Sequence, residues 1–554
     1  MRVMSQRTVV VNADLGPLRP GISAFSIEDG VFSAVVDQSD AAQLSMSGAT
    51  VIDAGHRTVL PGIDDSHLHG YEYGRSLTAH DMRDVRSLEE FQHRLSGAEP
   101  EPNGWIRGIG WNGNLFQGSG PSGGICAADL DAVFPNIPTI LGDFSGHQAV
   151  CNSLALQIAE VSASTPDPSG GIFVRYEDGS PTGLIYEAAV GVINDAIPRL
   201  SVADQKQAIL AGQSNLLQHG ITAFTDPGLG PGARTLMDGT GDLGAVDAYR
   251  QLNASGELII RANLMLLYGG LGGTTARAVA EGLDAWGAPA RGGSMSHLDI
   301  AQVKVFADGI PRSRTAWVTE PYDDGCCGHL QVAGNTDEER VAELREIVRA
   351  AVSRGWQIGA HSIGDRTITT FLDAIAESGT ASKSRHYVIH GDLVTHDDLI
   401  RISELGLALN ANPSIRWMMG RAIVPILGER RTLARQPLRS AIDSGVRVCV
   451  SSDAPVTMPD WRVIIAAAMT RSLMNEPEYS DDQRLTAREA IDAMTSQAAW
   501  QSHAENWRGS IAPGMAADFI VMESSVDWDD PWSLTENSVS STFVDGQCVH
   551  GSAQ

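Results

Sequence analysis

The chain predicts an α/β protein, a (β/α)8 barrel of the TIM type, and three observations carry that expectation. Eight short apolar runs recur along the middle of the 554 residues, separated by helix-like segments. Several of those segments end in glycine directly ahead of the next run. Residues of metal-ligating or catalytic type then fall at or just past the C-terminal ends of the runs, the face that carries active sites in such barrels.

The first run, residues 59–67 of VLPGIDDSHLHG, ends on His67 and His69. Side chains two apart on extended chain point the same way, so the pair begins a site for a borderline metal such as zinc. The second, ITAFTDPG (221–228), follows LLQHG and brings Asp226. The third, ELIIRANLMLLY (257–268), carries no candidate. HLDIAQVKVFADG (297–309) brings Lys304, and WQIGAHSIGD (356–365), after AAVSRG, brings His361. RHYVIHGD (385–392) ends near His390, LGLALNANPS (405–414) near Asn412, and VRVCVSSDAP (446–455), after AIDSG, near Asp453. Glycine at those helix ends supplies the left-handed stop that releases the chain into a strand.

Three segments fall outside this alternation. Residues 1–58 and 505–554 hold short strand-like runs such as RTVVVNA, GISAFSIEDG, DFIVME and STFVDGQCV, expected to form one β-sandwich from both termini. Residues 59–504 are then the barrel. Within it, residues 75–195 are far longer than a loop and read as a subdomain inserted after the first strand, over the mouth of the barrel.

The formal net charge of −27 disfavours nucleic acid as a partner. No run of about 18 apolar residues predicts a membrane span. The opening MRVMSQRTVVVNADLG lacks the apolar core and small-residue cleavage site of a secretory leader, and the six scattered cysteines form no disulfide or CxxC pattern. A cytoplasmic protein with reduced thiols is expected. No P-loop occurs, and no GxGxxG follows a strand, so nucleotide binding is not expected.

VIDAGHRTVLPGIDDSHLHG, SGHQAVCNSLAL, GITAFTDPG, VKVFADGIPRSRTAW, GAHSIGDRTI, VSSDAP and GSIAPGMAADFIVME together resemble the amidohydrolase superfamily. The resemblance is strongest to the family 3 amidohydrolases, the YtcJ-like group that includes N-substituted formamide deformylase. It implies one or two divalent metals, zinc among them. His67, His69 and Asp453 would hold the first and His361 and His390 the second, with Lys304 either N-carboxylated and bridging or unmodified beside a single metal. It further implies hydrolysis of a non-peptide C–N bond of a small amide or formamide by metal-activated hydroxide, Asp453 shuttling the proton and His390 also at the chemistry, in a homodimer. His147, Arg314 and Trp111 match family motifs and would face the substrate, and Arg312 with Arg314 would grip a substrate carboxylate or carbonyl. The pattern departs from its relatives at Ile389, where they usually carry an acidic residue that would support His390, and at Arg312, where they carry a small one. Hydrolysis of cyclic amides or esters, deamination, and a scaffold without catalysis are the rival readings. Deamination lacks its helper glutamate in GAHSIGD, and the filled ligand set argues against the scaffold.

Overall fold

The computed structural model describes residues 7–37, 40, 49–113, 115–143, 147–168, 170–232, 242–270, 273–379 and 382–552; Ser145 and Gly146 of the SGHQ motif lie outside the described residues. Eight strands join in one sheet, neighbour to neighbour in chain order. They are β1 (Ile63–Asp65), β2 (Ile221–Leu229), β3 (Arg261–Leu266), β4 (Leu298–Phe306), β5 (Gln357–Ser362), β6 (Tyr387–His390), β7 (Ala408–Ala411) and β8 (Arg447–Val450). Every neighbouring pair is parallel.

Every residue of β2, β3, β5, β6 and β7 is buried, as a parallel sheet covered by helices requires. The covering helices form for local reasons. Helix Asp337–Val352 is capped by Thr336, opens on Asp337, Glu338 and Glu339 to suit its dipole, and buries Leu344, Ile347, Val348 and Ala351 on one stripe. The glycines expected to end helices do so, with φ of +81° at Gly220, +77° at Gly355 and +80° at Gly445.

Ladder bonds stop between β8 and β1, yet other hydrogen bonds cross that seam. Asp453 N–H donates to the His67 carbonyl at 2.9 Å, and His69 N–H donates to that of Ala454 at 2.9 Å. The Ser452 N–H reaches Asp65 Oδ1 at 3.1 Å. The barrel is thereby nearly closed, and the bonds that close it hold His67, His69 and Asp453 side by side.

The first apolar run serves two sheets, where one strand was expected. Val59–Pro61 pairs antiparallel with Phe519–Met522, and only Ile63–Asp65 joins the barrel. Gly62 is the pivot, because a Cβ there would lie 2.2 Å from Thr222 Oγ1. His67 and His69 consequently stand past the strand rather than on it, His69 at the N-cap of helix Gly70–Ser76.

The terminal segments make two four-stranded sheets. One comprises Thr8–Val11, Ile22–Glu28, Val31–Asp37 and Thr50–Asp53; the other adds Val539–Val544 and Gln547–Gly551 to Val59–Pro61 and Phe519–Met522. Their inner faces share an apolar cluster in which Phe519 stacks on Phe543 at 4.2 Å between centroids. Buried ion pairs fasten this region to the barrel floor: Arg261 of β3 to Asp518 at 2.7 Å, and Arg508 to Asp64 of β1.

Residues 80–187 contribute a six-stranded sheet, ordered Gly171–Arg175, Pro181–Glu187, Gln148–Cys151, Thr139–Asp143, Ile106–Trp111 and His80–Asp81. One of its apolar clusters takes in Leu267 and Phe306, at the C-terminal ends of β3 and β4. The inserted sheet therefore packs against the mouth of the barrel.

Candidate metal centre

His67, His69 and Asp453 are buried and bring one donor atom each within 4.8 Å of one another. Asp453 Oδ1 lies 3.2 Å from His67 Nε2 and 3.3 Å from His69 Nε2. Ring contacts extend the group, His67 to His390 at 5.4 Å and His390 to His361 at 4.5 Å between centroids. Lys304, 2% exposed on β4, lines the same cavity, with Nζ 4.8 Å from the Phe306 ring centroid. His390 and Asp453 hold φ of +69° and +57°, an uncommon conformation for such residues that turns the chain sharply at the ends of β6 and β8.

Hydrogen bonds assign the ring tautomers. Asn412 donates its amide N–H to the Ser451 carbonyl and hydroxyl at 3.1 and 3.0 Å, so its Oδ1 is what meets His390 Nδ1 at 2.7 Å. That oxygen only accepts, which puts the proton on Nδ1 and leaves the Nε2 lone pair for a ligand. His361 has the reverse arrangement. Its Nε2 lies 3.4 Å from the Gly309 carbonyl, which puts the proton there and leaves the Nδ1 lone pair for a ligand.

Protonation states follow from burial. Burial, then the charge of Lys304, pushes His67 well below the ordinary imidazole range. Burial also depresses His361, helped by His390 and Lys304, and depresses His390. Burial would raise Asp453, but its contacts with His67 and His69 hold the carboxyl well below its usual value. Neutral imidazoles and a carboxylate are the forms that bind a borderline divalent ion. Among the described residues neither buried ring nitrogen of His67 has a partner in hydrogen-bonding geometry, although Nε2 lies 3.2 Å from Asp453 Oδ1, an arrangement that suits a cation shared by the two. The residues fit a metal.

The cavity, about 120 Å³, also takes in His147, Arg312, Asp392, Arg435 and Gln436, with an apolar wall that includes Ile310, Ile415, Met418, Met419 and Ile423. His147 arrives from the inserted sheet, its Nδ1 2.8 Å from Glu187 Oε2. Arg312 lies 3.8 Å from Asp143.

Two expected substrate-facing residues lie elsewhere. Arg314 is turned to the surface by a two-pronged pair with Asp323 at 2.8 Å, and Trp111 is buried with its indole N–H on the Leu141 carbonyl at 2.9 Å. Neither lines the cavity. Asp226 anchors helix Gly70–Ser76 by accepting the Tyr71 N–H at 3.0 Å. Glu187, Asp392, Arg435 and Gln436 escaped the sequence reading. Asp392, in HGD two residues past His390, carried a usable signal; Arg435 and Gln436 stand in no motif.

An eight-stranded parallel barrel whose C-terminal mouth buries a His-His-Asp group defines a metal-dependent hydrolase by fold and donor chemistry. The chain belongs to the amidohydrolase family, whose model matches residues 50–550, and is thus an enzyme of the class that hydrolyses C–N bonds with a metal. It is 28% identical to YtcJ of Bacillus subtilis (strain 168), named for the amidohydrolases, over 95% of this chain and 96% of that protein. It is 27% identical to N-substituted formamide deformylase of Arthrobacter pascens, over 94% of each. Among solved structures, an uncharacterized metal-dependent hydrolase from Pyrococcus furiosus superposes with a TM-score of 0.72 at 25% identity, covering 95% of this chain and all of that one.

Proposed function

We propose that the protein hydrolyses the C–N bond of a small amide or formamide whose apolar group lies along the isoleucine and methionine wall. The carrying observation is the single buried group formed by His67, His69 and Asp453 with His361, His390 and Lys304 around it. The likeness to a formamide deformylase supports the substrate class.

His67, His69 and Asp453 would hold one divalent ion, zinc by donor type. His361 Nδ1 and His390 Nε2, with an N-carboxylated Lys304 between, would hold a second. Such an ion supplies a Lewis acid for a carbonyl oxygen and an acidified water. Asp453, kept ionised by its neighbours, takes the attacking water's proton and passes it to the departing nitrogen. The imidazoles stay neutral because burial disfavours their charge, so they do not compete for that proton. His147 and Arg312 meet the substrate. In this reading the two terminal sheets, Val59–Pro61 included, form one sandwich built from both ends of the chain, and residues 75–195 are a subdomain roofing the site.

The test is product release by metal-replete protein from N-formyl amines, N-acyl amines, N-acyl amino acids, cyclic amides and esters. Turnover of the open-chain amides that vanishes in Asp453→Asn, with folding and bound metal retained, is expected. An unchanged rate in that variant removes Asp453 from the mechanism, and no turnover of any amide rejects the reading.

A further inference from the structure

We propose that Glu187 is a positioning residue that locks the ring of His147, and that the pair presents His147 to the carbonyl oxygen of the substrate. The proposal rests on the hydrolase reading above and extends it to a residue from the inserted sheet.

Glu187 ends the strand Pro181–Glu187 and immediately precedes helix Ala188–Ala196. Its φ of +51° and ψ of −127° belong to a region that glycine adopts freely and other residues rarely. A position selected for its backbone alone would favour glycine. The side chain must therefore supply something that offsets the strain. Three contacts show what it reaches. The Glu187 N–H donates to the His147 carbonyl at 2.8 Å, Oε2 lies 2.8 Å from His147 Nδ1, and Oε1 lies 3.5 Å from the Thr315 hydroxyl. One buried carboxylate thus ties the inserted sheet to the loop after β4, the loop that carries Arg312.

A carboxylate only accepts, so Nδ1 carries the proton, and any polar contact between this ring and a cavity ligand runs through Nε2. His147 lines the cavity together with the six residues of the metal centre. Burial opposes both charges of the pair, yet their attraction raises His147 and lowers Glu187. With a second proton on Nε2, an imidazole partnered in this way would place a donor where oxygen gains charge during attack, and its fixed orientation avoids reorganisation at that moment.

The experiment uses the whole metal-replete protein, with N-benzylformamide and 4-nitrophenyl acetate as carbonyl probes. Glu187→Gln keeps the size of the side chain and removes its charge. The kcat is expected to fall about 100-fold with KM within about threefold, metal content unchanged, and Glu187→Asp recovering part of the loss. A loss confined to KM, or no loss, overturns the proposal. Glu187→Gly is expected to melt higher than Glu187→Ala while both are equally impaired; equal melting removes the strain argument and counts against it. Binding of benzylphosphonate, read by calorimetry, does not depend on turnover. Glu187→Gln weakening it about tenfold or more supports the pair, and unchanged affinity overturns it. A wild-type protein whose anion affinity depends on Glu187 but which cleaves neither probe would instead refute the hydrolase reading.

Discussion

Asn412→Leu tests how the metal centre is held. His390 directs Nε2 inward because Asn412 Oδ1 accepts from its Nδ1 at 2.7 Å. Leucine has nearly the same shape but accepts nothing, which leaves a buried N–H without a partner at a cost of about 1–3 kcal/mol. At about 1.4 kcal/mol per tenfold, metal affinity should fall roughly 5- to 150-fold, in line with the 10- to 100-fold typical of such outer partners. The substitution also removes the amide donor to the Ser451 carbonyl and hydroxyl, although that hydroxyl still donates to Asn410 Oδ1 at 2.6 Å. Competition with a chromophoric chelator at neutral pH reads the affinity, and Asn412→Asp, which restores an acceptor, serves as the control. An Asn412→Leu protein with wild-type melting and metal affinity within about twofold of wild type would refute the assignment of Nε2 as a supported ligand.

Other outcomes follow from the same geometry. Lys304→Ala should lower kcat about 100-fold, with short carboxylic acids plus metal restoring part of the activity; full metal retention without rescue would favour a single ion with an unmodified lysine. His386 is buried, its Nδ1 accepts the Ile358 N–H at 2.9 Å, and burial lowers its pKa to about 4. The unfolded chain therefore binds a proton that the folded one refuses between about pH 6.5 and 4. Stability should be full above that window and decline by up to roughly 3 kcal/mol as pH falls through it; melting curves of His386→Gln, which cannot titrate, should show a shallower decline, and an equal one would exclude His386 as a source. Gly62→Ala should destabilise by about 1–3 kcal/mol in denaturant unfolding, since its Cβ meets Thr222 Oγ1 at 2.2 Å, and Thr222→Ser should not relieve it because the hydroxyl remains.

The barrel could be read from the sequence because a strand buried on both faces has to be apolar almost throughout, so that a charge within it stands out. In LDIAQVKVF the lysine near the end of β4 is only 2% exposed. The division at Gly62 was hidden for the same reason: VLP and IDD are both fully buried, each in its own sheet, and burial alone makes them one run. Motif likeness also fails to give side-chain direction. Arg312 and Arg314 are equivalent in PRSRTAW, yet Arg314, at φ +56°, ends a 3-10 turn and faces Asp323 and Asp324 while Arg312 stays at the cavity. The paired aspartates were visible in the sequence; that they lie beside Arg314 depends on the fold of the following loop.

The support of His390 makes the wider point about site residues. Judged along its own strand, this histidine lacks help, because its neighbour Ile389 is apolar and wholly buried. In a parallel barrel, however, a strand end is flanked by the neighbouring strand at the same height. The register that pairs Ile389 with Asn410 brings His390 and Asn412 together just past those partners, at the ends of β6 and β7. The hydrogen bond is consequently made sideways, and Asn412 is in turn oriented by Ser451 beyond the end of β8. A chain of three adjacent strand ends thus does what a single acidic neighbour would otherwise do. Because each link is a separate segment, replacing Ile389 with Glu would add a buried carboxylate to a position already served, and it should destabilise the protein rather than tighten metal binding.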